Sequence, residues 1–231
     1  MTVVDEHEII RVAAWEQYPW LVHGFSTRAT GDFLDWPGDE VITQAFGGGI
    51  TTAMLRQIHS AQVVRADGGW GCERPEADAV VTDKAGVLVG VRTADCVPIL
   101  LADPVRKAVA AVHAGWRGTL AGVLENSLDQ LAEHFGSRPG DLEAAIGPSI
   151  AGCCFEVGPE VASQFPSEFV VASKSRPHVD LAAHLRSRLA EFGVSNITSV
   201  AECTKCLPER FFSYRGQGGA TGRMLSVVGV R

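Results

Sequence analysis

Hydrophobic residues near the middle of the chain fall into two short runs separated by a turn. Val97 to Leu101 and Ala108 to Val112 consist mainly of Val, Ile, Leu and Ala, and Ala102-Asp103-Pro104 lies between them. Apolar runs of this length bounded by turn residues predict buried strands. Cys96 precedes the first run and His113 follows the second. If the strands pair as an antiparallel hairpin, both side chains emerge at the same end of the sheet.

The same pattern predicts further short strands and four helices around this hairpin. The predicted strands are Ile9 to Ala13, Leu21 to Phe25, Gln62 to Val64, Ala79 to Thr82, Val87 to Val91, Leu142 to Ile146, Phe169 to Ala172, Ile197 to Ala201 and Met224 to Val230, and Thr51 to Ile58 fits either a strand or a helical turn. The predicted helices are Val41 to Phe46, Pro159 to Gln164, Asp180 to Phe192 and one that Thr119 caps and that ends near His134 and Gly136. In this last helix the apolar positions from Leu120 to Leu131 recur at helical spacing.

Composition places the chain among soluble globular proteins. It has 231 residues, of which 46% are hydrophobic and 20% charged, so we expect one domain spanning residues 1–231. The net charge of -7 argues against a sequence-independent nucleic-acid binder, which needs clustered Lys and Arg. The acidic N-terminus does not resemble a secretory signal, and no apolar run reaches transmembrane length. We therefore expect a cytoplasmic protein without a membrane partner.

The six cysteines are too sparse for a disulfide-dense secreted scaffold, so reduced thiols are expected. Cys203 and Cys206 form a C-x-x-C motif, whereas Cys153 and Cys154 are adjacent. A structural zinc ribbon needs a second spaced pair, which the adjacent cysteines do not provide. The sequence therefore favours packing as the explanation for these four residues.

Cys96, His113 and the more distant His59 suggest two kinds of chemistry. A catalytic zinc commonly has three protein ligands and one open position, and these side chains are suitable ligands. Cys96 is equally suitable as a nucleophile with His113 as its general base. A blue-copper site would add a weak axial methionine, but Met54 and Met224 are distant in sequence. The wide spacing of the three residues, taken alone, favours a buried structural cysteine.

Three arginines are candidates for binding an anion. Arg28, Arg117 and Arg215 each lie in a glycine-containing loop after an apolar run. Gly115 to Gly118 also directly precedes a predicted helix, whose free N–H groups attract anions. Arginine can add bidentate contacts to phosphate. Solvated surface arginines would produce the same sequence pattern.

Several motifs in order along the chain carry a family resemblance. They are HGFSTR at 23–28, QIHS at 57–60, ADAVVTD at 77–83, RTADCVPILLADP at 92–104, HAGWRG at 113–118, IGPSIAGCCFEVG at 146–158, and CT with FFSYRGQGGATGR at 203–223. Together they resemble the laccase-domain family, also called multicopper polyphenol oxidases or peptidoglycan-editing factors and now regarded as purine nucleoside phosphorylases. The chain departs from the family pattern at Ser60, where glycine is usual, and at 29–32.

The resemblance implies a cytoplasmic enzyme that cleaves adenosine, inosine and methylthioadenosine with phosphate and also deaminates adenosine. It implies that His59, Cys96 and His113 hold zinc. Its fold is α/β (α+β), a single domain of layered mixed sheets flanked by helices, similar to the catalytic domain of a cytotoxic necrotizing factor. In that relative a Cys–His pair performs hydrolysis. We expect Asp95 to orient a ligand and Arg28, Arg117 and Arg215 to hold phosphate.

The expected function is therefore a zinc-dependent purine nucleoside phosphorylase with adenosine deaminase activity. One alternative is a metal-free Cys–His hydrolase or amidase acting on a peptide or cell-wall precursor. A copper-dependent polyphenol oxidase is another, although a chain with seven histidines and no His-x-His pair does not fit a laccase with several coppers. A metal-binding scaffold without enzymatic activity is a third alternative. The sequence leaves the oligomeric state open.

Overall fold

The computed structural model describes residues 1–5, 8–35, 39–47, 51–71, 73–171 and 175–231. The strands are β1 Thr2–Val4, β2 Ile10–Val12, β3 Leu21–Phe25, β4 Thr51–Met54, β5 Val63–Arg65, β6 Ala79–Thr82, β7 Val87–Thr93, β8 Val97–Asp103, β9 Ala108–Ala114, β10 Glu143–Ile146, β11 Val170–Val171, β12 His178–Val179, β13 Asn196–Ser199 and β14 Met224–Val230. The helices are α1 Asp39–Phe46, α2 Trp116–Leu120, α3 Val123–Phe135, α4 Pro159–Ala162 and α5 Leu181–Glu191. Cys72 and Ala172, the last residue of a predicted strand, lie outside the described residues.

Most strands belong to two six-stranded mixed sheets. The first has the order β1-β2-β3-β14-β7-β4 and the second has the order β13-β10-β8-β9-β6-β5, while β11 and β12 pair separately. The predicted hairpin is confirmed, because β8 and β9 pair antiparallel with Pro98 opposite His113 and Val97 opposite Ala114. All seven residues of each hairpin strand are buried. Burial on both faces explains why these strands are continuous apolar runs rather than alternating ones.

The two sheets pack face to face, and helices cover their outer faces. Val89 and Val228 of the first sheet share a core with Leu100 and Ala111 of the second. On the far side of the second sheet, β8 and β9 pack against apolar residues of α3 and α5. On the far side of the first sheet, apolar residues of α1 pack against β3, β7 and β14. This is the expected layered α/β arrangement, and from the shared core we infer one domain over residues 1–231.

The helix after the hairpin begins earlier than the sequence predicts. The predicted cap at Thr119 is wrong, because Thr119 lies inside α2 and Gly115 occupies the N-cap position. Gly122 has φ 89° and separates α2 from α3, so one predicted helix is two. The predicted end is confirmed by Gly136, a left-handed C-cap with φ 68°.

The predicted helix over 180–192 is confirmed as α5. Asp180 caps α5 by accepting a hydrogen bond from the Ala183 amide at 2.9 Å. The segment 51–58, which the sequence leaves undecided, begins as the strand β4 and continues as a loop. The short strands β1 and β12 were not predicted. Among the described residues, the helices are too short or too polar to cross a lipid bilayer.

Candidate active site

The predicted ligand residues His59, Cys96 and His113 meet at one end of the β8–β9 hairpin. Their side-chain ligand atoms all lie within 4.8 Å of one another. Cys96 directly precedes β8, and His113 is the next-to-last residue of β9. His59 comes from the loop between β4 and β5, and its ring centroid is 4.9 Å from that of His113. The sheet register therefore brings together two of the three side chains, and a loop supplies the third.

Asp78, which the sequence analysis does not identify as a site residue, fixes both the His113 ring and the His59 loop. Its Oδ1 lies 2.8 Å from His113 Nδ1 and accepts the His59 amide at 3.0 Å. Its Oδ2 accepts the Ser60 amide at 2.5 Å and the Ser60 hydroxyl at 2.8 Å. With Nδ1 engaged, Nε2 is the His113 nitrogen available to a metal, which is the usual carboxylate–histidine–metal arrangement. Asp78 is the second residue of the ADAVVTD motif at 77–83, so the motif offered it as a candidate site residue.

Cys96, His113 and Asp78 shift one another's pKa values through charge and hydrogen bonds. Burial opposes ionisation of the Cys96 thiol, but the neighbouring imidazoles of His113 and His59 outweigh it and lower its pKa to about 6. Burial also opposes a charged His113, yet Cys96 and Asp78 outweigh it and raise its pKa to about 9. Despite burial, hydrogen bonds from His113 and Ser60 lower the pKa of Asp78 to about 2. The thiolate form that binds metals or attacks carbonyls is therefore favoured.

Two unusual backbone conformations flank the ligand cluster. His59 has φ 59° and Asp95 has φ 91°, both in the region that favours glycine. Such residues cost about 1–3 kcal/mol and persist where surrounding contacts hold them, often at functional sites. Gly115 also borders the cluster, since a Cβ there would lie 3.1 Å from both Cys96 Sγ and His59 Cδ2. Glycine at this position leaves the space beside the ligands open.

The cluster lies in a cavity of about 590 Å³ that contains four arginines. They are Arg92, Arg117, Arg215 and Arg223. Arg92 donates to the Leu34 carbonyl at 2.6 Å. Arg223 donates to the Thr221 and Gly222 carbonyls. In a chain of net charge -7, this concentration of guanidinium groups gives the cavity a local positive charge, which attracts anions.

Two of the three arginines that are predicted to bind phosphate line this cavity. Arg117 lies over the Trp116 ring at 4.3 Å, and Arg215 donates to the Glu156 carbonyl at 2.8 Å. Arg28 is not among the described cavity-lining residues. Its guanidinium lies 4.5 Å from the centre of the Phe212 ring and donates to a loop carbonyl. A phosphate contact by Arg28 therefore stays a prediction.

Asp95 is a buried hydrogen-bond acceptor that ties loops together. Its Oδ1 accepts the hydroxyls of Thr204 at 2.6 Å and Ser213 at 2.7 Å. Its Oδ2 accepts the Arg215 amide at 2.7 Å, and its carbonyl accepts the Ile150 amide at 2.9 Å. The role of Asp95 in orienting a ligand stays a prediction, while Asp78 is the carboxylate that contacts the His113 ring. Asp95 positions the backbone that carries Arg215.

The cysteines that the sequence analysis assigned to packing form a second cluster. The sulfur atoms of Cys153, Cys154, Cys203 and Cys206 all lie within 4.8 Å of one another. All four are free thiols. The adjacent pair therefore does meet the C-x-x-C pair in space, although the two pairs are far apart in sequence.

The His59–Cys96–His113 cluster fits a catalytic zinc by its donor chemistry. Two imidazoles and one thiolate are three zinc ligands, and the cavity leaves a fourth position accessible. A blue-copper centre fits less well, because it needs an axial ligand such as methionine. Met224 Sδ instead accepts the Phe212 amide at 3.0 Å, and Met54 packs with the core beneath α1. Neither is among the described residues lining the cavity.

Comparison with known proteins agrees with the motifs. A purine nucleoside phosphorylase of Deinococcus radiodurans is 41% identical over 184 residues, covering 77% of this chain and 70% of that protein. An adenosine deaminase named RL5, from an unknown prokaryotic organism, is 37% identical over 193 residues, and the match covers 76% of this chain and 73% of that protein. The structure of YlmD from Geobacillus stearothermophilus matches with a TM-score of 0.88 at 27% identity, covering 100% of this chain and 98% of that one.

The structure of the YfiH protein of Bacillus licheniformis matches with a TM-score of 0.87 at 25% identity, covering 100% of this chain and 99% of that one. The family model described as multi-copper polyphenol oxidoreductase laccase matches residues 39–231. This span includes the three clustered ligand residues, Asp78 and the four cavity arginines. The chain therefore belongs to the laccase-like family that this model describes.

Proposed function

We propose that the protein is a zinc-dependent purine nucleoside phosphorylase. The observation that carries the proposal is the position of a three-ligand His/Cys cluster within a cavity that also contains four arginines. A metal centre beside an anion site suits a reaction between a neutral nucleoside and phosphate. Relatives named purine nucleoside phosphorylase support the same substrates. We expect the reaction to take place in the cytoplasm.

His59, Cys96 and His113 would hold the zinc. Bound there, zinc would supply Lewis acidity and would lower the pKa of a bound water. Asp78 would keep the His113 ring in the orientation that leaves Nε2 toward the metal, because its Oδ1 engages Nδ1. It would also hold the His59 loop through three backbone amides, which lie at residues 58–60.

Arg117 and Arg215 would bind phosphate. In phosphorolysis a phosphate oxygen forms a bond to C1′ of the ribose, the bond from C1′ to the purine nitrogen breaks, and the base leaves with its electron pair. Guanidinium groups hold the attacking phosphate in place through paired N–H donors and stabilise its charge as the reaction proceeds. The amide of Arg215 is fixed by Asp95, so this arginine is anchored at its backbone.

Aromatic side chains of the cavity would bind the purine. Trp116, Phe155 and Tyr214 line it. A flat base gains about 1–3 kcal/mol by stacking on an aromatic ring, with little preference among bases. This tolerance suits an enzyme that accepts adenosine, inosine and methylthioadenosine. Arg117 and Arg215 lie over two of these rings, so base and phosphate subsites would be adjacent.

The test is product analysis with and without phosphate. The purified protein should release free adenine from adenosine only when inorganic phosphate is present, with a sugar phosphate as the second product. Arg117→Ala should raise KM for phosphate by about 10-fold or more, the loss of one charge-assisted hydrogen bond. Arg106→Ala is a matched control, because Arg106 instead pairs with Asp103 and Asp141. Phosphate-independent release of adenine would refute the phosphorylase.

We also propose adenosine deamination at the same centre, which the relative RL5 supports. His59, Cys96 and His113 would hold the zinc, which would supply activation of a water for attack on the purine ring, with ammonia as the group that leaves. Inosine should form from adenosine without phosphate, and the activity should disappear together with phosphorolysis when zinc is removed. Deamination that survives zinc removal would exclude this role.

A metal-free Cys–His hydrolase is the second candidate, because Cys96, His113 and Asp78 form a chain of nucleophile, base and orienting carboxylate. This reading predicts full activity in chelator and alkylation of Cys96 by iodoacetamide as the enzyme is inactivated. Loss of activity in chelator, restored by zinc, would exclude it. Metal analysis of the same samples also tests the copper-dependent oxidase, which requires copper in the active protein.

A further inference from the structure

The four clustered cysteines come from two loops that follow neighbouring parallel strands. Cys153 and Cys154 lie after β10, and Cys203 and Cys206 lie after β13. A backbone bridge between Ser149 and Cys203 joins the loops at the base of the cluster. The adjacent cysteines occupy a turn that directs both sulfur atoms toward the C-x-x-C pair. Strand pairing thus brings together ligands that are separated in sequence.

Three of the distances between the sulfur atoms are close to the edges of a tetrahedral thiolate site. Cys154 and Cys206 are 3.4 Å apart, and Cys153 lies 3.7 Å from both of them. Zinc binds cysteine sulfur at about 2.3 Å, so a regular tetrahedron of sulfurs has edges of about 3.8 Å. Cys203 Sγ lies within 4.8 Å of the other three sulfurs, so a modest approach of this fourth side chain completes a set that surrounds one ion.

One backbone amide contacts a sulfur of the cluster, and the cluster is open to solvent. The Ala151 amide donates to Cys203 Sγ at 3.4 Å, a contact of the kind that steadies a metal-bound sulfur. Cys153 and Cys206 are exposed, so an ion can enter from solvent.

We propose that Cys153, Cys154, Cys203 and Cys206 bind a second zinc ion with a structural role. Four thiolates close the coordination of zinc and leave no position for a substrate, which distinguishes structural from catalytic sites. Soft sulfur ligands in a tetrahedron select zinc or iron. None of the four residues contributes to the His59–Cys96–His113 cluster, so this ion is additional to the proposed catalytic one.

The second zinc fastens two loops that form the wall of the cavity. Phe155 follows Cys154 directly and lines the cavity. Thr204 lies inside the C-x-x-C pair and donates its hydroxyl to Asp95, the residue before Cys96. Further along the same loop, Arg215 donates to the carbonyl of Glu156 in the other loop. Holding the loops together therefore stabilises the cavity without contact with the substrate.

The experiment measures metal content and intact mass of the full-length protein purified under reducing conditions. The natural chain should hold about two zinc ions, and native mass spectrometry should show both ions with all thiols reduced. Cys153→Ser combined with Cys206→Ser should remove about one ion, and Cys96→Ser should remove the other. Lys205→Ala is the matched control and should retain both. The double variant should also unfold at lower temperature than the Lys205→Ala control.

Three results would overturn the proposal. One is a single zinc per chain that disappears in the Cys96→Ser variant and persists in the double cysteine variant. Another is a mass deficit of two hydrogens, which shows a disulfide among the four cysteines. The third is iron in place of zinc. If the double variant does not fold, cobalt loading of the natural chain still decides, because a four-thiolate site gives far stronger sulfur-to-cobalt charge-transfer absorption than a one-thiolate site.

Discussion

The two ligand clusters of this protein differ in composition and surroundings. The His59–Cys96–His113 cluster mixes imidazole with thiolate, lies in an arginine-containing cavity and depends on a buried carboxylate. The four-cysteine cluster consists of thiols alone, lies near the surface and joins two loops. Three protein ligands leave the fourth coordination position of a zinc ion open for water or substrate, whereas four cysteines fill all four positions. The contrast separates a proposed catalytic centre from a proposed structural one within one chain.

The largest expected effect is the loss of activity on removing a catalytic ligand. Cys96→Ser should lower kcat/KM for adenosine phosphorolysis by more than about 100-fold, since changing even an outer partner of a metal ligand costs about 10–100-fold. Steady-state kinetics with metal analysis of the same sample measures this. The Cys153→Ser and Cys206→Ser double variant should retain the catalytic metal. If the two variants lost the same ion, the two clusters would not be independent.

Removing the carboxylate behind His113 should have the next largest effect. Asp78→Asn replaces an acceptor of the His113 ring and of three backbone amides, so zinc affinity and kcat/KM should fall by about 10–100-fold. Competition with a metal indicator and steady-state kinetics measure the two quantities. Ser60→Ala is the matched control, because it removes only one hydroxyl bond to the same carboxylate. Equal effects of the two changes would refute the orienting role of Asp78.

Crowding the catalytic cluster should have a smaller effect. Gly115→Ala places a methyl group 3.1 Å from Cys96 Sγ and His59 Cδ2, so these side chains must shift by a few tenths of an ångström. We expect a loss of zinc affinity of about 10-fold, equivalent to about 1.4 kcal/mol, with no change at the four-cysteine cluster. Metal titration measures both sites. Gly68→Ala is the control, because a Cβ there meets open space. Unchanged affinity would show that the cluster adapts.

Sequence predicted the His59–Cys96–His113 cluster better than the four-cysteine cluster for a physical reason. Cys96 and His113 flank two apolar runs joined by a turn, so antiparallel pairing alone places them together. His59 is a candidate by residue type alone, because no local pattern links it to the hairpin, and the family resemblance strengthens that prediction. The four cysteines meet only through the parallel pairing of β10 and β13, which are separated by α4, α5 and their loops. Contacts of this kind are not encoded in local periodicity.

The same distinction explains the other differences between prediction and structure. The apolar spacing from Leu120 onward predicts one helix, but the left-handed conformation of Gly122 divides it, and periodicity does not report φ. Asp78 directly precedes a predicted strand, yet its role depends on the position of the His59 loop, which is distant in sequence. Strands β1 and β12 have only three and two residues, too few for a pattern of alternation.

The last expected effect concerns stability in acid rather than metal affinity or activity, and it arises away from both clusters. His23 is buried, and burial together with the charge of Arg11 lowers its pKa to about 3. In the unfolded chain its pKa is about 6.5. The unfolded state therefore binds a proton first as pH falls, so the folded state loses stability below pH about 6.5 and continues to do so down to about 3. The slope from this residue is about 1.4 kcal/mol per pH unit.

His23→Gln should remove this part of the pH dependence, because glutamine keeps an acceptor for the Val12 amide, which His23 Nε2 now accepts at 2.8 Å, and does not titrate. Denaturant unfolding between pH 4 and 7 in chelator measures the slope without either metal. His134→Gln is the control, since that side chain is on the surface of α3. A slope unchanged by His23→Gln would assign acid sensitivity to other groups. A reduced slope would assign this part of the pH dependence of the unfolding free energy to His23. Any additional loss of stability in acid that appears only with zinc bound would then come from release of zinc.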